Sequence, residues 1–182
     1  PHLALTLCWF AGLREVWYFG LRYTSTKEIA GWLKMDKRIC DQDIAWSKME
    51  RKRHASYDAV MPFFFLAKFF PEDVAEELIQ EVTQHLFFLQ VRHSLLHREI
   101  FCPPEASVLL ASYAAQAKYG DYTEHSRIDV RELLPSSVFE QYQMTPESWE
   151  EKIRIWYEDL KGLAREEAEM EFLKIAQDLD MY

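Results

Sequence analysis

Two histidines and a cysteine form the part of this 182-residue chain that most resembles a metal site. His93 and His97 stand four residues apart, so they would share one face of a helix, and Cys102 follows closely. Such spacing can hold zinc. However, the sequence has no HExxH glutamate and no second ligand pair beside them. We therefore predict that the chain binds no metal and needs no cofactor.

A set of acids near the C-terminus could serve acid–base catalysis, because it places several carboxylates close together. The acids are Glu150, Glu151, Glu158 and Asp159. Their spacing is also that of an exposed helix face, on which Glu150 would form an ion pair with Arg154 four residues later. We favour the exposed face, which leaves the sequence without a catalytic residue. The prediction is that this protein is not an enzyme.

Basic residues are concentrated in the first third of a chain whose net charge is −9. Residues 22–54 hold nine Lys and Arg against five Asp and Glu. One cluster there is either an anion-binding patch or an ordinary solvated strand end. A second could extend that patch, act as a nuclear import signal or form a solvated loop, and we favour the loop. The first cluster is Lys34, Lys37 and Arg38, and the second is Lys48, Arg51, Lys52 and Arg53, followed by His54.

The composition indicates a packed protein of the cytoplasm. A hydrophobic content of 49% with 15% aromatic residues is far from that of disordered chains. Cys8, Cys40 and Cys102 occur singly, as free thiols in a reducing compartment would. The apolar run at residues 3–13 is shorter than the roughly 20 residues of a membrane-spanning helix. The negative net charge argues against a nucleic-acid partner.

The pattern of hydrophobic residues predicts an α+β fold. Residues 16–23, 31–36 and 63–69 have strand chemistry, and alternation places Trp17, Phe19, Leu21 and Tyr23 on one face. Pro71 ends this part, so we place a domain boundary near residue 70, between domains at 1–70 and 71–182.

Beyond this boundary the period changes to that of helices. A long helix is predicted from the spacing of Val74, Leu78, Val82, Leu86 and Leu89. A second begins at Pro103-Pro104-Glu105 and ends at Gly120, and a third begins at Thr145-Pro146. The expected buried stripe of the third helix is Trp149, Ile153, Trp156, Leu160 and Leu163. That of a last helix is Phe172, Ile175, Ala176 and Leu179.

Several long blocks of the sequence resemble the FERM domain family, which includes merlin, ezrin, radixin and moesin. Gly-Leu-Arg-Glu-Val-Trp-Tyr-Phe-Gly-Leu-Arg-Tyr at 12–23 and Trp-Leu-Lys-Met-Asp-Lys-Arg at 32–38 look like its first lobe. The run at 66–119 resembles the middle of a FERM domain, and residues 69–182 look like its second lobe. The stretches at 105–113, 142–147 and 167–171 are most similar to the merlin branch. About ten extra residues interrupt the match between 44 and 65.

The resemblance implies a partial ubiquitin-like first lobe, without its opening hairpin and with a basic loop insert at about 45–62. An all-helical bundle of the acyl-CoA-binding-protein type would follow, and the third lobe of the family would be absent. The residues that look like the first lobe lie in 1–70, and those that look like the second lie in 71–182.

The resemblance also implies a function. In the merlin, ezrin, radixin and moesin family, the proteins are non-catalytic scaffolds that link plasma-membrane proteins to cortical actin at the cytoplasmic face of the plasma membrane. Merlin also acts in Hippo-pathway growth control. Expected partners are cytoplasmic tails of membrane proteins, cytoskeletal proteins and signalling proteins, including a Lats-type kinase bound through the helical lobe. Lys34, Lys37 and Arg38 match basic positions that help ezrin-type proteins recognise phosphatidylinositol bisphosphate together with the third lobe. Weak phosphoinositide contact is therefore expected, to which Lys48, Arg51, Lys52 and Arg53 could add.

Two other functions stay open on the sequence alone. Some tyrosine phosphatases and tyrosine kinases carry FERM modules ahead of a catalytic domain, so this chain could be the targeting module of such an enzyme. The bundle type also allows the helical lobe to carry a lipid or an acyl chain.

Overall fold

The computed structural model describes residues 6, 8–9, 12–44, 62–97 and 99–179. It forms two compact units, one of residues 1–70 and one of residues 71–182. The first contains a small antiparallel sheet and the second is built from helices, as the α+β prediction required. Within the described ranges, no helix combines the length and the hydropathy that crossing a membrane requires.

The sheet of the first unit has three strands in the order β2-β1-β3: β1 (Phe19–Thr24), β2 (Ala30–Trp32) and β3 (Phe64–Ala67). Both pairings are antiparallel, with Tyr23 opposite Gly31 and Gly20 opposite Leu66. The three predicted strands are present but shorter than expected. Residues Val16–Tyr18 form a 3-10 helix, so Trp17 is 61% exposed and does not share the face of Leu21, contrary to the prediction.

The core of the first unit lies on one face of this sheet. Leu21, Tyr23, Leu33 and Ile44 are buried there, and partly buried side chains from β3, the 3-10 helix at 39–41 and the adjoining loops pack against them. The Trp32 ring lies directly over Gly20, where an added Cβ would come within 2.9 Å of the ring carbon Cε3. This close approach explains glycine at that position of a central strand.

The described part of the second unit contains seven α-helices. They are α1 (Val74–Glu77), α2 (Glu81–Leu96), α3 (Pro104–Tyr119), α4 (Val130–Leu133), α5 (Ser136–Gln141), α6 (Pro146–Asp159) and α7 (Arg165–Ala176). The predicted signals set the ends of two of them. Gly120 follows α3 with φ 75°, and the Thr145 hydroxyl accepts a hydrogen bond from Ser148 N–H at 3.3 Å to cap α6.

The single long helix predicted from residue 74 is wrong. The chain forms α1, capped by Asp73, then breaks at residues 78–80 and starts again as α2. The buried face of α2 is also not the predicted one, since Leu89 is 44% exposed and Val82 and Leu86 are only partly buried. The residues buried instead are Thr83, Phe87, Phe88, Val91 and Leu95. This helix is apolar on more than one side, so spacing alone did not identify its inner face.

The bundle core forms where α3 packs against α6 and α7, and α2 against α7. Small buried residues of α3, Ala111, Ser112 and Ala115, let these helices approach closely. Phe88 and Phe172 meet edge to face with ring centroids 4.9 Å apart. On α7 the buried residues are Phe172, Leu173 and Ala176, whereas Ile175 and Leu179 of the predicted stripe are partly exposed.

Candidate functional site

The three cations of the first basic cluster lie on one exposed turn of the first unit, between β2 and the 3-10 helix Ile39–Asp41. Lys34, Lys37 and Arg38 are all exposed. We call residues 34–38 the basic turn. The side chains of Lys34, Lys37 and Arg38 are therefore available to an anionic partner.

An uncharged residue, Gln42, closes the basic turn. Its Nε2 donates to the Lys34 carbonyl at 2.9 Å, and the Lys37 and Arg38 carbonyls lie 3.4 Å away. Its Oε1 accepts from Lys34 N–H at 2.8 Å. One amide side chain thus holds the backbone of all three cationic positions. Sequence reasoning missed this residue, because nothing near it in sequence indicates the partners.

The second basic cluster, Lys48, Arg51, Lys52 and Arg53 with His54, lies outside the described residues. Its placement in a surface loop stays a prediction.

Helix α6 presents a hydrophobic pair to the outside of the second unit. Ile155 is 53% exposed and Trp156 50%, although the sequence pattern predicted Trp156 in the core. The buried stripe is instead Trp149, Ile153 and Tyr157, spaced by four residues. Since Trp156 and Tyr157 are adjacent, only one of them can point inward, and the regular spacing from Trp149 could have identified Tyr157. Leu160 and Leu163 are only partly buried.

Two of the acidic side chains on α6, Glu151 and Glu158, form ion pairs with Arg154. Arg154 Nη2 lies 2.6 Å from Glu151 Oε1, and Arg154 Nη1 lies 3.1 Å from Glu158 Oε1. The predicted ion pair between Glu150 and Arg154 is wrong, since Arg154 pairs instead with Glu151, three residues before it, and with Glu158, four residues after it. Glu150 and Asp159 are exposed on the same helix. The arrangement is that of a solvated helix face with a central cation. We call Ile155 and Trp156 the α6 patch.

The inner side of α6 is fixed by Tyr157. Its hydroxyl donates to the Gly120 carbonyl at 2.6 Å, which joins α6 to the end of α3. Burial, with the negative charge of Asp121 as a second cause, raises the pKa of Tyr157 to about 12. Asp121 Oδ1 accepts from Gly162 N–H at 2.7 Å and from the Gln116 side chain at 2.9 Å, and these bonds lower its pKa. The α6 patch therefore stands on a rigid base.

The histidines and the cysteine considered for zinc do not converge. The rings of His93 and His97 stack with centroids 3.8 Å apart, and His97 Nδ1 lies 2.8 Å from the His93 carbonyl oxygen. Both histidines are exposed, whereas Cys102 is buried, and burial raises the pKa of its thiol. Among the residues that the structure describes, no three His, Cys, Asp or Glu side chains are placed to hold a metal ion.

A buried acid was not anticipated from the sequence. Glu169 on α7 is 3% exposed, and its Oε1 accepts from Arg165 Nε at 3.0 Å and lies 2.9 Å from His85 Nδ1. Because His85 belongs to α2, this carboxylate connects two helices. Its role is structural.

Two family models match the chain: the FERM N-terminal domain over residues 6–45 and the FERM central domain over residues 73–182. Merlin from Homo sapiens is 56% identical over 180 residues, an alignment that covers 97% of this chain and 28% of that protein. Moesin/ezrin/radixin homolog 2 from Drosophila melanogaster is also 56% identical over 180 residues, covering 97% of this chain and 27% of that protein. The chain thus spans little more than a quarter of these relatives.

Solved structures show the same fold. The complex of the FERM and C-terminal domains of Drosophila Merlin superposes with a TM-score of 0.85 at 55% identity, covering 99% of this chain and 58% of that one. The myosin VII MyTH4-FERM domain from Dictyostelium discoideum reaches a TM-score of 0.72 at 17% identity, covering 97% of this chain and 36% of that one. The second likeness concerns the fold alone.

Proposed function

This chain belongs to the FERM family, as a scaffold of the merlin, ezrin, radixin and moesin kind, and on that premise we propose that it is a non-catalytic adaptor at the cell cortex. In this proposal it connects the cytoplasmic tails of plasma-membrane proteins with cortical actin. It also takes part in Hippo-pathway growth control by binding a Lats-type kinase through its helical unit.

The observation that carries the proposal is the α6 patch. Trp156 and Ile155 expose two large apolar side chains to water, which is unfavourable. Half-exposed aromatic residues near a charged rim are typical of protein-binding surfaces. Arg154 lies on the opposite flank of α6 from Trp156, where Glu151 and Glu158 orient it. Glu151 and Glu158 form ion pairs with this arginine, which supports a structural role for these two acids rather than acid–base chemistry.

The test is the affinity of the whole chain for a purified Lats-type kinase, measured by isothermal titration calorimetry. Replacing Trp156 with Ala removes a large contact area, so it should weaken binding by at least about tenfold. Phe101 is also a large aromatic residue and is 66% exposed, but it lies outside α6, so Phe101→Ala is the control. Equal affinity of both variants and the parent chain would disprove the assignment to α6.

For the first unit we propose that the basic turn contacts phosphoinositide headgroups. Several cations near an anionic leaflet each contribute about 1 kcal/mol, and Gln42 fixes the backbone on which Lys34, Lys37 and Arg38 stand. The contact is expected to be weak because only three cations take part. The second basic cluster, Lys48 to Arg53, would add to it.

Cosedimentation with vesicles that contain phosphatidylinositol bisphosphate tests this contact. Reversing the charge at Lys34, Lys37 and Arg38 together should abolish sedimentation, and raising the salt concentration should weaken it. Lys27 is also exposed in the first unit, so Lys27→Glu controls for a general change in net charge. Binding that survives the triple reversal would rule the basic turn out.

A further inference from the structure

The side of the sheet that points away from the core of the first unit carries three large side chains in one row. Arg22 of β1 pairs with Trp32 of β2 on one side and with Phe64 of β3 on the other. Directly paired residues of an antiparallel sheet project to the same side. Alternation along β1 puts this row opposite Leu21 and Tyr23, which belong to the core.

Much of this side is apolar and partly exposed. The Trp32 ring lies over Gly20, and Lys68 Cδ would be 3.5 Å from a Cβ added at the same glycine. Leu66 pairs with Gly20 and so shares this side. Phe64 is 50% exposed, and Trp32 and Leu66 are partly buried. We call Arg22, Trp32, Phe64, Leu66 and Lys68 the outer face.

The charged groups of the outer face are cations. Arg22 stands between Trp32 and Phe64 in the row, and Lys68 Nζ lies 6.0 Å from the centroid of the Trp32 ring. The three described strands contain no Asp or Glu. The outer face therefore presents positive charge beside apolar surface.

The outer face continues into the basic turn. Beyond the last residue of β2, Trp32, the Leu33 N–H extends the pairing by donating to the Leu21 carbonyl at 2.8 Å. Leu33 is buried in the core and Lys34 is exposed, so alternation puts Lys34 on the side of Trp32. Two residues of extended chain span about 7 Å. A surface that meets Lys34 therefore also comes close to Trp32.

We propose that the outer face lies against an anionic bilayer, with the rings of Phe64 and Trp32 at the boundary between headgroups and acyl chains. The inference rests on the proposed phosphoinositide contact of the basic turn, because that contact brings the leaflet to the side on which Trp32 stands. Exposed aromatic rings beside Lys and Arg are typical of surfaces that lie in the membrane interface.

The position of Lys34 selects the bilayer over a protein partner. A flat leaflet can meet the basic turn and the outer face together, since both lie on one side of the sheet. An acidic protein segment or a second copy on the outer face would cover the side from which the leaflet reaches Lys34. The turn adds three cations against one acid, Asp36. The net charge of −9 opposes an anionic leaflet elsewhere on the chain, which confines the contact to this side.

The first test is cosedimentation with phosphatidylcholine vesicles that contain phosphatidylinositol bisphosphate. Phe64→Ala should weaken binding about fivefold, because half of this side chain can leave water in the complex. The loss should be the same at low and at high salt, since salt does not screen an apolar contact. Phe101 is 66% exposed in the second unit, so Phe101→Ala should bind like the parent chain. Circular dichroism melts confirm that both variants fold.

The second test locates Trp32 by fluorescence. Vesicles of the same composition carry brominated acyl chains, which quench tryptophan at short range. Quenching should be smaller in Trp32→Phe than in the parent chain, while cosedimentation is retained. Trp149 is 2% exposed in the second unit, so Trp149→Phe should leave the extent of quenching unreduced.

Failure of the turn contact and failure of the outer-face contact give different results. If the parent chain does not sediment with the vesicles, the proposed phosphoinositide contact is wrong, and this inference with it. If charge reversal at Lys34, Lys37 and Arg38 abolishes sedimentation but Phe64→Ala binds like the parent, or Trp32→Phe is quenched like the parent, the turn contact stands and the inference is overturned.

Two further results would assign the outer face to another occupant and so also overturn the inference. One is a concentration-dependent dimer in sedimentation velocity that Phe64→Ala abolishes. The other is saturable binding of a poly-glutamate peptide that Phe64→Ala abolishes.

Discussion

At the basic turn the cations are positioned by an uncharged side chain, that of Gln42. Replacing Gln42 with Ala should lower the free energy of unfolding of the first unit by about 1 kcal/mol, because the turn loses its closing hydrogen bonds. Vesicle binding should weaken as well, although no charge has changed. Urea unfolding and vesicle cosedimentation measure the two effects.

A matched variant separates the amide donor from the acceptor. Gln42→Glu keeps the oxygen that accepts from Lys34 N–H but sets a second oxygen against the carbonyls of Lys34, Lys37 and Arg38. It should destabilise the unit at least as much as Gln42→Ala. If Gln42→Glu is as stable as the parent chain, the amide donor contributes nothing to the stability of the first unit.

Tyr157 predicts a specific loss of stability at high pH. Its folded-state pKa of about 12 lies above the ordinary value of about 10. Between these two pH values the unfolded chain loses the phenolic proton while the folded chain keeps it. Stability therefore falls as the pH rises through this window.

Replacing Tyr157 with Phe should make this decline shallower, and it should cost about 1 kcal/mol at neutral pH through the lost bond to Gly120. Urea midpoints at pH values from about 8 to 11 measure both effects against the reference pKa of tyrosine. If the urea midpoint of Tyr157→Phe falls with pH as steeply as that of the parent chain, another group causes the loss of stability.

The chemistry of single residues could be predicted from sequence better than their partners could. The exposed cations Lys34, Lys37 and Arg38 were identified by residue type together with their match to basic positions of the family. Gln42 and Glu169 were not, because their roles depend on contacts that the fold creates, and His85 lies 84 positions from Glu169.

At the scale of elements, α7 offers a matched pair of acids. Glu169 is buried between Arg165 and His85, whereas Glu171 forms a surface ion pair with Lys174 at 2.6 Å. Glu169→Ala should destabilise the bundle by about 2 kcal/mol, because it removes charge-assisted hydrogen bonds that join α2 to α7. Glu171→Ala should cost at most about 0.5 kcal/mol. Thermal melts compare them, and equal effects would show that the buried network does not hold the two helices.

Helix α6 carries two tryptophans whose replacement should affect stability very differently. Trp149 is 2% exposed, so Trp149→Ala should destabilise the bundle by about 3 to 5 kcal/mol through the cavity it leaves. Trp156→Ala should change stability by less than about 0.5 kcal/mol. Denaturant unfolding of both variants checks this. A large loss in Trp156→Ala would mean that Trp156 belongs to the core and that its loss of kinase binding reflects unfolding.

Helix ends were predictable where local chemistry sets them. Pro104 and Gly120 delimit α3, and Thr145 begins α6, as the sequence indicated. The break between α1 and α2 was not predictable, because the apolar spacing continues through it. It depends on local contacts such as that of Gln84 Nε2, which donates to the Leu78 carbonyl at 2.8 Å. The inner face of α2 was missed because its outer side is also apolar.

At the scale of the molecule, the basic turn of the first unit stands on an acidic chain, whose net charge is −9. Salt screens the electrostatic contacts of its exposed cations over about 10 Å. We therefore expect that anionic partners bind the basic turn less tightly as ionic strength rises.

An adaptor must hold two partners at once, and cosedimentation can measure this directly. Vesicles rich in phosphatidylinositol bisphosphate are mixed with a purified Lats-type kinase at low salt, with and without the chain, and sedimented. The kinase should enter the pellet only when the chain is present. It should stay in solution with either the Trp156→Ala variant or the charge-reversed basic turn. A kinase that remains in solution with the parent chain, or one that sediments equally well with both variants, would contradict the proposed function.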